Sequence, residues 1–429
     1  MNKKFSRFRI IIDYIDATKN EIAIDESVLH SSGLEFDRAG YLPRVQRWVA
    51  HARRHPKLVY NTARLARLIW TAGASSVVLF FDFLPCWLKS LYKYNEKNNP
   101  NSKRYVLAFS PRAIEAINAL AHEGLPDSWI TVPWITLRKP PANARIVDIF
   151  SLLSPSELAG ALLNALITQQ RFLRRPDTRK WALQGYTAFR WFAVRAGVDK
   201  LAGDFVMVNH FDRWAILIDR SAQRLGNSLT LVQHGVVSQL DAKCSAAPIA
   251  QNIPKKLRGV RKLFAYNPTE AEIFKNYIIK SGRPRNNLSI NFYKSCIKLK
   301  RSKEQKFLKF LFVGHPTCEN FQVELFERLS KKLNFTAYYK PHPLAPMSPS
   351  LESIGWQVIK DPHLFLEVDL LISYPSTLVL EYANHFIPAV IHPMNADTDE
   401  CEEFVRKIYD ACIELSRSHP VSSKVALIS

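Results

Sequence analysis

Three short polar motifs, each set directly after an apolar stretch of strand-like character, constrain the fold of this chain more than any other feature. Gln233-His234-Gly235 follows Leu229-Thr230-Leu231-Val232. Lys340-Pro341-His342-Pro343 follows Thr336-Ala337-Tyr338-Tyr339. Ser373-Tyr374-Pro375-Ser376-Thr377, with Glu381 one turn further on, follows Val368-Asp369-Leu370-Leu371-Ile372. In an open α/β sheet, residues just past the carboxyl ends of strands line the ligand crevice. Two histidines and two hydroxyls delivered there suit a substrate that carries phosphate.

The pattern around the motifs supports such a sheet. From residue 205 onward strands (205–208, 229–232, 262–266) alternate with a helix at 213–224. A second series follows: strand 308–313, helix 321–333, strands 336–339 and 370–372, helix 377–383 and strand 389–391. Strands separated by helices imply parallel pairing with right-handed crossovers. Two such series predict an α/β chain of two doubly wound domains with a substrate cleft between them. We divide it into residues 1–258, 259–400 and 401–429, the last carrying a helix near Glu402–Leu415 that is expected to pack back on the first domain.

Upstream, helices are read at Leu58–Trp70 and Pro111–His122 and a strand at Arg104–Phe109. The apolar run Ile69–Leu88 carries Asp82 and Pro85, which count against a membrane span. We read it as a helix end, a turn at Gly73-Ala74-Ser75-Ser76 and a buried strand Val77–Phe81. Two long helices are expected at Ser156–Leu173 and Trp181–Val198, the first opened by the capping signal Ser154-Pro155-Ser156-Glu157. Their faces mix Arg171, Arg174, Arg190 and Arg195 with Phe172, Trp191 and Phe192. An aromatic stripe at helical spacing is usually core. Interleaved arginines leave two other readings open, a face on membrane headgroups or a grip on an acidic acceptor.

Composition narrows the class. A chain of 429 residues, 47% hydrophobic, can bury a sizeable core. Its six cysteines (86, 244, 296, 318, 401 and 412) form no CxxC pair, which fits a reducing compartment and not a structural zinc site. The start, Met1-Asn2-Lys3-Lys4-Phe5, leads into no apolar signal core, because Asp13 and Asp16 fall where one would lie. Formal net charge is +21, and residues 251–310 supply +13 of it, with 16 Lys and Arg against Glu270, Glu272 and Glu304. Such a field attracts a polyanion: nucleic acid, an anionic bilayer or an acidic polysaccharide. A solvated basic linker is the plainer alternative.

Each motif has a chemical and a structural reading. His342 stands between prolines that fix φ and donate no hydrogen bond, so its imidazole is held in one place, able to donate to a phosphate oxygen. The plain alternative is a rigid turn with an exposed histidine. Ser376 and Thr377 open a helix, where hydroxyls cap and amides attract anions; Glu381 is placed to accept from ribose hydroxyls. His234, with an ordinary pKa of about 6.5, suits a general base, or else packs under a loop. Gly235 permits a tight turn beside it. Asp212 is a second candidate base, or simply the cap of the helix at 213–224. In Phe312-Val313-Gly314-His315, Gly314 would admit a ligand to the backbone and His315 would face the cleft. No GxxxxGK[ST], GxGxxG with a trailing acid or GxSxG is present, and metal-ligand spacing of the HExxH type is absent too, which disfavours the common nucleotide hydrolases, dehydrogenases and esterases.

The order of the segments QHG, VGHPT, YYKPHP and DLLISYPSTLVLEYA, over roughly residues 205–395, resembles bacterial surface-polysaccharide glycosyltransferases of the GT-B fold. The nearest in pattern are the capsule and lipopolysaccharide sialyl-, polysialyl- and Kdo transferases, which use CMP-activated sugars. The chain is also similar to the CDP-glycerol glycerophosphotransferases, which carry WHG where Gln233-His234-Gly235 stands, a DYSS-type segment like Ser373–Thr377, and a GxPRND motif like Gly282–Asn287. Ser373 replaces the DYSS aspartate, Pro375 interrupts that segment, and the acidic base motif of many sialyltransferases is not evident.

The resemblance implies two Rossmann-like domains facing across a cleft. It assigns the donor phosphate to His342, Ser376 and Thr377, and the ribose to Glu381. With Lys340, Ser373, Gly235, Gly314 and His315, these form the expected donor site, and His234 or Asp212 the expected base. The donor would be a nucleotide-activated sugar and the acceptor a lipid-linked or polymeric saccharide. No cofactor or metal is expected, and the cleft motifs hold no DxD pair. The place would be the cytoplasm, at the inner membrane face, reached through the basic segment and the arginine–aromatic helices. The alternatives are a CDP-polyol phosphotransferase of the same fold and a non-catalytic polyanion- or polysaccharide-binding protein. With no nucleic-acid module evident, nucleic acid is not an expected partner.

Overall fold

Parallel strands need a crossover to bring the chain back, so their sheets are covered on both faces and their strands read as nearly unbroken apolar runs. The computed structural model describes residues 3–31, 34, 42–43, 48, 51–52, 55–93, 100–110, 113–118, 128–135, 144–235, 253–280, 288–293, 297–301, 307–342 and 347–418, and it contains two such sheets. The first joins β1 (Arg104–Ala108), β2 (Ser128–Thr131), β3 (Arg145–Asp148), β4 (Asp204–Met207), β5 (Leu229–Val232), β6 (Val260–Ala265) and β7 (Ser289–Phe292). Their order is β3-β2-β1-β4-β5-β6-β7, all parallel. A short ladder of β8 (Leu299–Lys300) and β12 (Phe365–Leu366) stands apart.

The second sheet joins β9 (Leu308–Val313), β10 (Phe335–Lys340), β11 (Gln357–Val358), β13 (Leu370–Ser373) and β14 (Ala389–Ile391) in the order β11-β10-β9-β13-β14. All six residues of β9 are buried. In each sheet the order reverses beside its first strand, between β1 and β4 and between β9 and β13. Those reversals are the switch points at which doubly wound sheets bind ligands. The fold is α/β with two Rossmann-like domains, as expected from the sequence.

The helices, in order, are α1 (Lys3–Ser31), α2 (Pro56–Ile69), α3 (Ser75–Lys93), α4 (Ala113–Asn118), α5 (Pro155–Arg174), α6 (Pro176–Arg179), α7 (Ala188–Val198), α8 (Arg213–Leu225), α9 (Pro268–Ile273), α10 (Glu319–Ser330), α11 (Thr377–Ala383) and α12 (Cys401–Ser418). The capping signal of α5 is realised as a reciprocal box: Ser154 accepts from Glu157 N, and Glu157 accepts from Ser154 N. Asp212 caps α8, and Gly226 ends it at φ 77°, where a side chain would be strained. Tyr14 of α1 ties the helical layer together, its ring 5.3 Å from Trp191 and 5.4 Å from Phe192.

Four expectations are corrected. β6 and β7 hydrogen-bond into the first sheet, so the first domain runs to Phe292 and not to 258. Within the basic segment, where a solvated linker was the plainer reading, Arg261 is exposed and Lys262 lies 4.6 Å over the Phe264 ring, so both cations fit a sheet strand. The final helix α12 packs on α10 and β14 of the second domain, burying Phe404, Val405 and Ile408 there, not on the first. Val77–Phe81 is helical, part of α3. The span read as one helix at Trp181–Val198 is a 3-10 segment (Ala182–Thr187) followed by α7, and its aromatics are core: Phe172, Trp191 and Phe192 are buried. The Gly282–Asn287 motif and Pro343 lie outside the described residues.

Candidate active site

On the second domain, the loops after β9, β10 and β13 bring His315, His342 and Tyr374 together beside the switch point. The His315 ring lies 5.3 Å from His342 and 5.5 Å from Tyr374, edge-on to both. His315 Nδ1 accepts from Thr317 N at 3.2 Å, which leaves Nε2 as the protonated nitrogen of the neutral ring. Tyr374 is buried and both histidines are half-exposed. Ser376 stands at the cap position of α11 without a capping bond; its hydroxyl pairs instead with Ser373 Oγ at 3.1 Å. Thr377 and Glu381 follow on α11, half-buried.

Three expected donor-site residues have other work. Lys340 is buried at 5% exposure, and its ammonium donates to the carbonyls of Asp361, Pro362 and Leu364 at 3.2, 3.1 and 2.9 Å. Those three bonds use all of its protons, so it braces the 361–364 loop and does not meet the donor. Burial pulls its pKa down to about 8, while Asp361 and Glu381 act in the other direction. Ser373 is wholly buried and donates to the Tyr374 carbonyl at 2.6 Å, which shapes the loop from behind. Gly314 leaves room not for a ligand but for Tyr339: a methyl group at Gly314 would lie 2.0 Å from Tyr339 Oη.

On the first domain, the loops after β4 and β5 supply the opposite wall. Gln233 is buried and fixes the loop, accepting from Tyr266 N at 2.9 Å and donating to Glu270 at 2.6 Å and to the Gly235 carbonyl at 2.8 Å. His234 is half-exposed, its ring 4.7 Å from that of His210. Sequence reasoning missed His210, although it sits just past β4 as His234 sits past β5. His210 Nδ1 donates to the Val208 carbonyl at 3.1 Å. Burial pulls its pKa down to about 4, so it is neutral at physiological pH with Nε2 an acceptor.

Asp212 accepts from Ala215 N at 2.8 Å and from Asn209 Nδ2 at 2.6 Å, so its carboxylate is engaged as a cap. Burial first, and then the Glu21 carboxylate, push its pKa up to about 6. Glu21 belongs to α1 and accepts from Arg213 N at 3.0 Å, which brings a second carboxylate to the same helix end.

The two walls meet. Among the described residues, its chain neighbours aside, nothing lies within 4 Å of where a methyl group at Gly235 would sit except Thr377 Cγ2, at 3.7 Å. Gly235 is not among the described glycines with positive φ, so a tight turn does not require it; its smallness leaves a gap opposite α11. The arrangement is a cleft with an imidazole pair on each side, hydroxyls at the start of α11 and carboxylates behind the first wall. A separate cavity of about 420 Å³ lies about two turns down α8 from Asp212, lined by Arg220, Lys255, Lys256, Arg258 and Lys280 with Pro254 and Ile279, and takes no part in the cleft.

Comparison with protein-family models and with curated proteins gives no match. Among solved structures, the crystal structure of Acinetobacter baumannii MurG aligns at 13% sequence identity and a TM-score of 0.35, over 74% of this chain and 94% of that one. A superposition at that level adds nothing about chemistry.

Proposed function

We propose that the chain is a glycosyltransferase that moves a sugar from a nucleotide-activated donor, CMP-linked, to a cell-surface polysaccharide acceptor. One observation carries the reading: the strand-end loops of two Rossmann-like domains face each other at Gly235 and Thr377, with His210 and His234 on one wall and His315 and His342 on the other. His234 takes the acceptor hydroxyl's proton, and the acceptor oxygen bonds to the anomeric carbon. The bond from that carbon to the donor phosphate breaks, and its electron pair leaves on the phosphate oxygen. His342, His315, Ser376 and Thr377 would meet the charge that develops there, and Glu381 the ribose. In this reading imidazoles and hydroxyls, not a metal ion, neutralise the phosphate. His234 is preferred to Asp212 as base because the Asp212 carboxylate is occupied at the cap of α8. The acceptor would be met at the cytoplasmic face of the inner membrane, as the net charge of +21 favours.

The test is calorimetry and thermal shift with CMP, CDP, UDP and GDP on the wild type and on His342→Ala. Cytidine nucleotide binding weakened at least about ten-fold in the variant is the expected result, a loss of one charge-assisted hydrogen bond being enough. Preference for UDP or GDP would keep the cleft and discard the cytidine donor. A folded wild type that binds no nucleotide would overturn the reading.

A further inference from the structure

Helices α2 and α3 are joined through a π-helical turn, Trp70–Ala74, so that Pro56–Tyr92 is helical over 37 residues, kinked where Gly73 takes φ 132°. One side of this element is committed to the first domain: Val59, Ala63 and Trp70 pack with Ala182 and Leu183, and Leu79 and Phe83 enter the main core. The opposite side is apolar and uncovered. Leu58, Leu65 and Leu68 recur at helical spacing on α2, as do Val77, Phe81 and Leu88 on α3, and all six are between 44% and 67% exposed. Only 22% of the most apolar 18-residue window of the element is buried. A contiguous exposed stripe of this kind marks an interaction surface and not the scatter of single apolar residues found on any protein.

Charge decides what fits it. Between residues 56 and 92 the cations are Lys57, Arg64, Arg67 and Lys89, the last paired with Asp148 at 3.5 Å, and the single acid is Asp82, which is paired with Arg190 at 2.5 Å. A two-fold contact with a second copy would set these cations against their own images. An anionic lipid surface offers the opposite sign together with an apolar interior. The element cannot cross that interior: α3, at about 28 Å, has the length, but crossing would tear Leu79, Phe83 and the Asp82–Arg190 pair out of the domain.

We infer that the outer face of α2 and α3 lies in the headgroup region of an anionic bilayer and holds the first domain on the membrane as a monotopic anchor. This deepens the reading of the chain as one that meets a lipid-linked acceptor, and it moves the contact from the arginine–aromatic helices, whose aromatics are core, to a helix read as such from sequence and a neighbour of which Val77–Phe81 was read as a buried strand.

The test is co-sedimentation of the full chain with vesicles of phosphatidylcholine alone or with added phosphatidylglycerol. Wild type should bind the anionic vesicles, less so as salt rises. Leu68→Asp with Phe81→Asp should cut partitioning at least about ten-fold, because burying one such side chain already supplies a factor of ten. Arg64→Glu with Arg67→Glu should abolish the preference for phosphatidylglycerol. Thermal unfolding and nucleotide binding, measured without vesicles, check that the variants fold and read the cleft independently of the membrane. Wild type that ignores anionic vesicles, an aspartate variant that binds them as well as wild type, or a dimer dissolved by those aspartates without any vesicle binding would each overturn the inference.

Discussion

Asp25 of α1 is buried, and the loss of hydration, reinforced by the Glu21 carboxylate, pushes its pKa up to about 8. The native state therefore holds a proton that the unfolded chain releases. The stability this contributes is complete below the ordinary carboxylate range and is lost as pH rises to about 8. His210 and His392 have the opposite sign. Burial pulls each down to about 4, so stability is lost as pH falls from their ordinary range toward 4. The opposing slopes overlap below about pH 6.5, and Lys340 titrates from about 8 upward. From about pH 6.5 to about pH 8 the Asp25 slope stands apart from these, and wild-type stability should fall by on the order of 1 kcal/mol per pH unit. Asp25→Asn should make that slope shallower, as read from urea unfolding across the same window, while Asp13 and Asp219, whose pKa values burial also raises, keep their share of it.

At the scale of elements, the capping box of α5 was fully legible, because a cap is a local device: Ser154 and Glu157 are three residues apart and bond to each other's amides. Ser154→Ala should cost about 1 kcal/mol in urea unfolding and leave nucleotide affinity unchanged, since α5 contributes no residue to the cleft. The strands ending at Val232, Lys340 and Ser373 were legible for the same reason, each an apolar run closed by a polar turn. What failed depends on distant partners. Val77–Phe81 has the β-branched and aromatic content of a strand, but its residues continue a helical stripe whose inner side, Leu79 and Phe83, finds α5 and α7. Lys340 reads as a phosphate ligand until the carbonyls of the 361–364 loop are placed around it. Gly314 reads as a ligand approach until the Tyr339 ring is seen beneath it. His210 could have been found by the rule that found His234, because it too follows a strand.

For the whole molecule, the consequence of the loop after β5 meeting the start of α11 is that a small residue on one domain can govern access to the other. Gly235 is such a residue: its backbone needs no left-handed conformation, and the space before it ends at Thr377 across the cleft. Among the described residues, a β-carbon there would meet no atom of its own domain. Gly235→Leu should therefore leave stability within about 0.5 kcal/mol of wild type, as for substitutions that disturb no packing. Its isobutyl group would fill the gap in front of α11, where Ser376 and Thr377 would otherwise meet the donor phosphate. Cytidine nucleotide affinity should fall at least about ten-fold, a cost of about 1.4 kcal/mol that one misplaced side chain readily exacts. Calorimetry on a variant of unchanged unfolding midpoint reads the effect directly. Undiminished affinity would mean that the nucleotide sits away from the meeting of the two walls, and the cleft would lose its place in the mechanism.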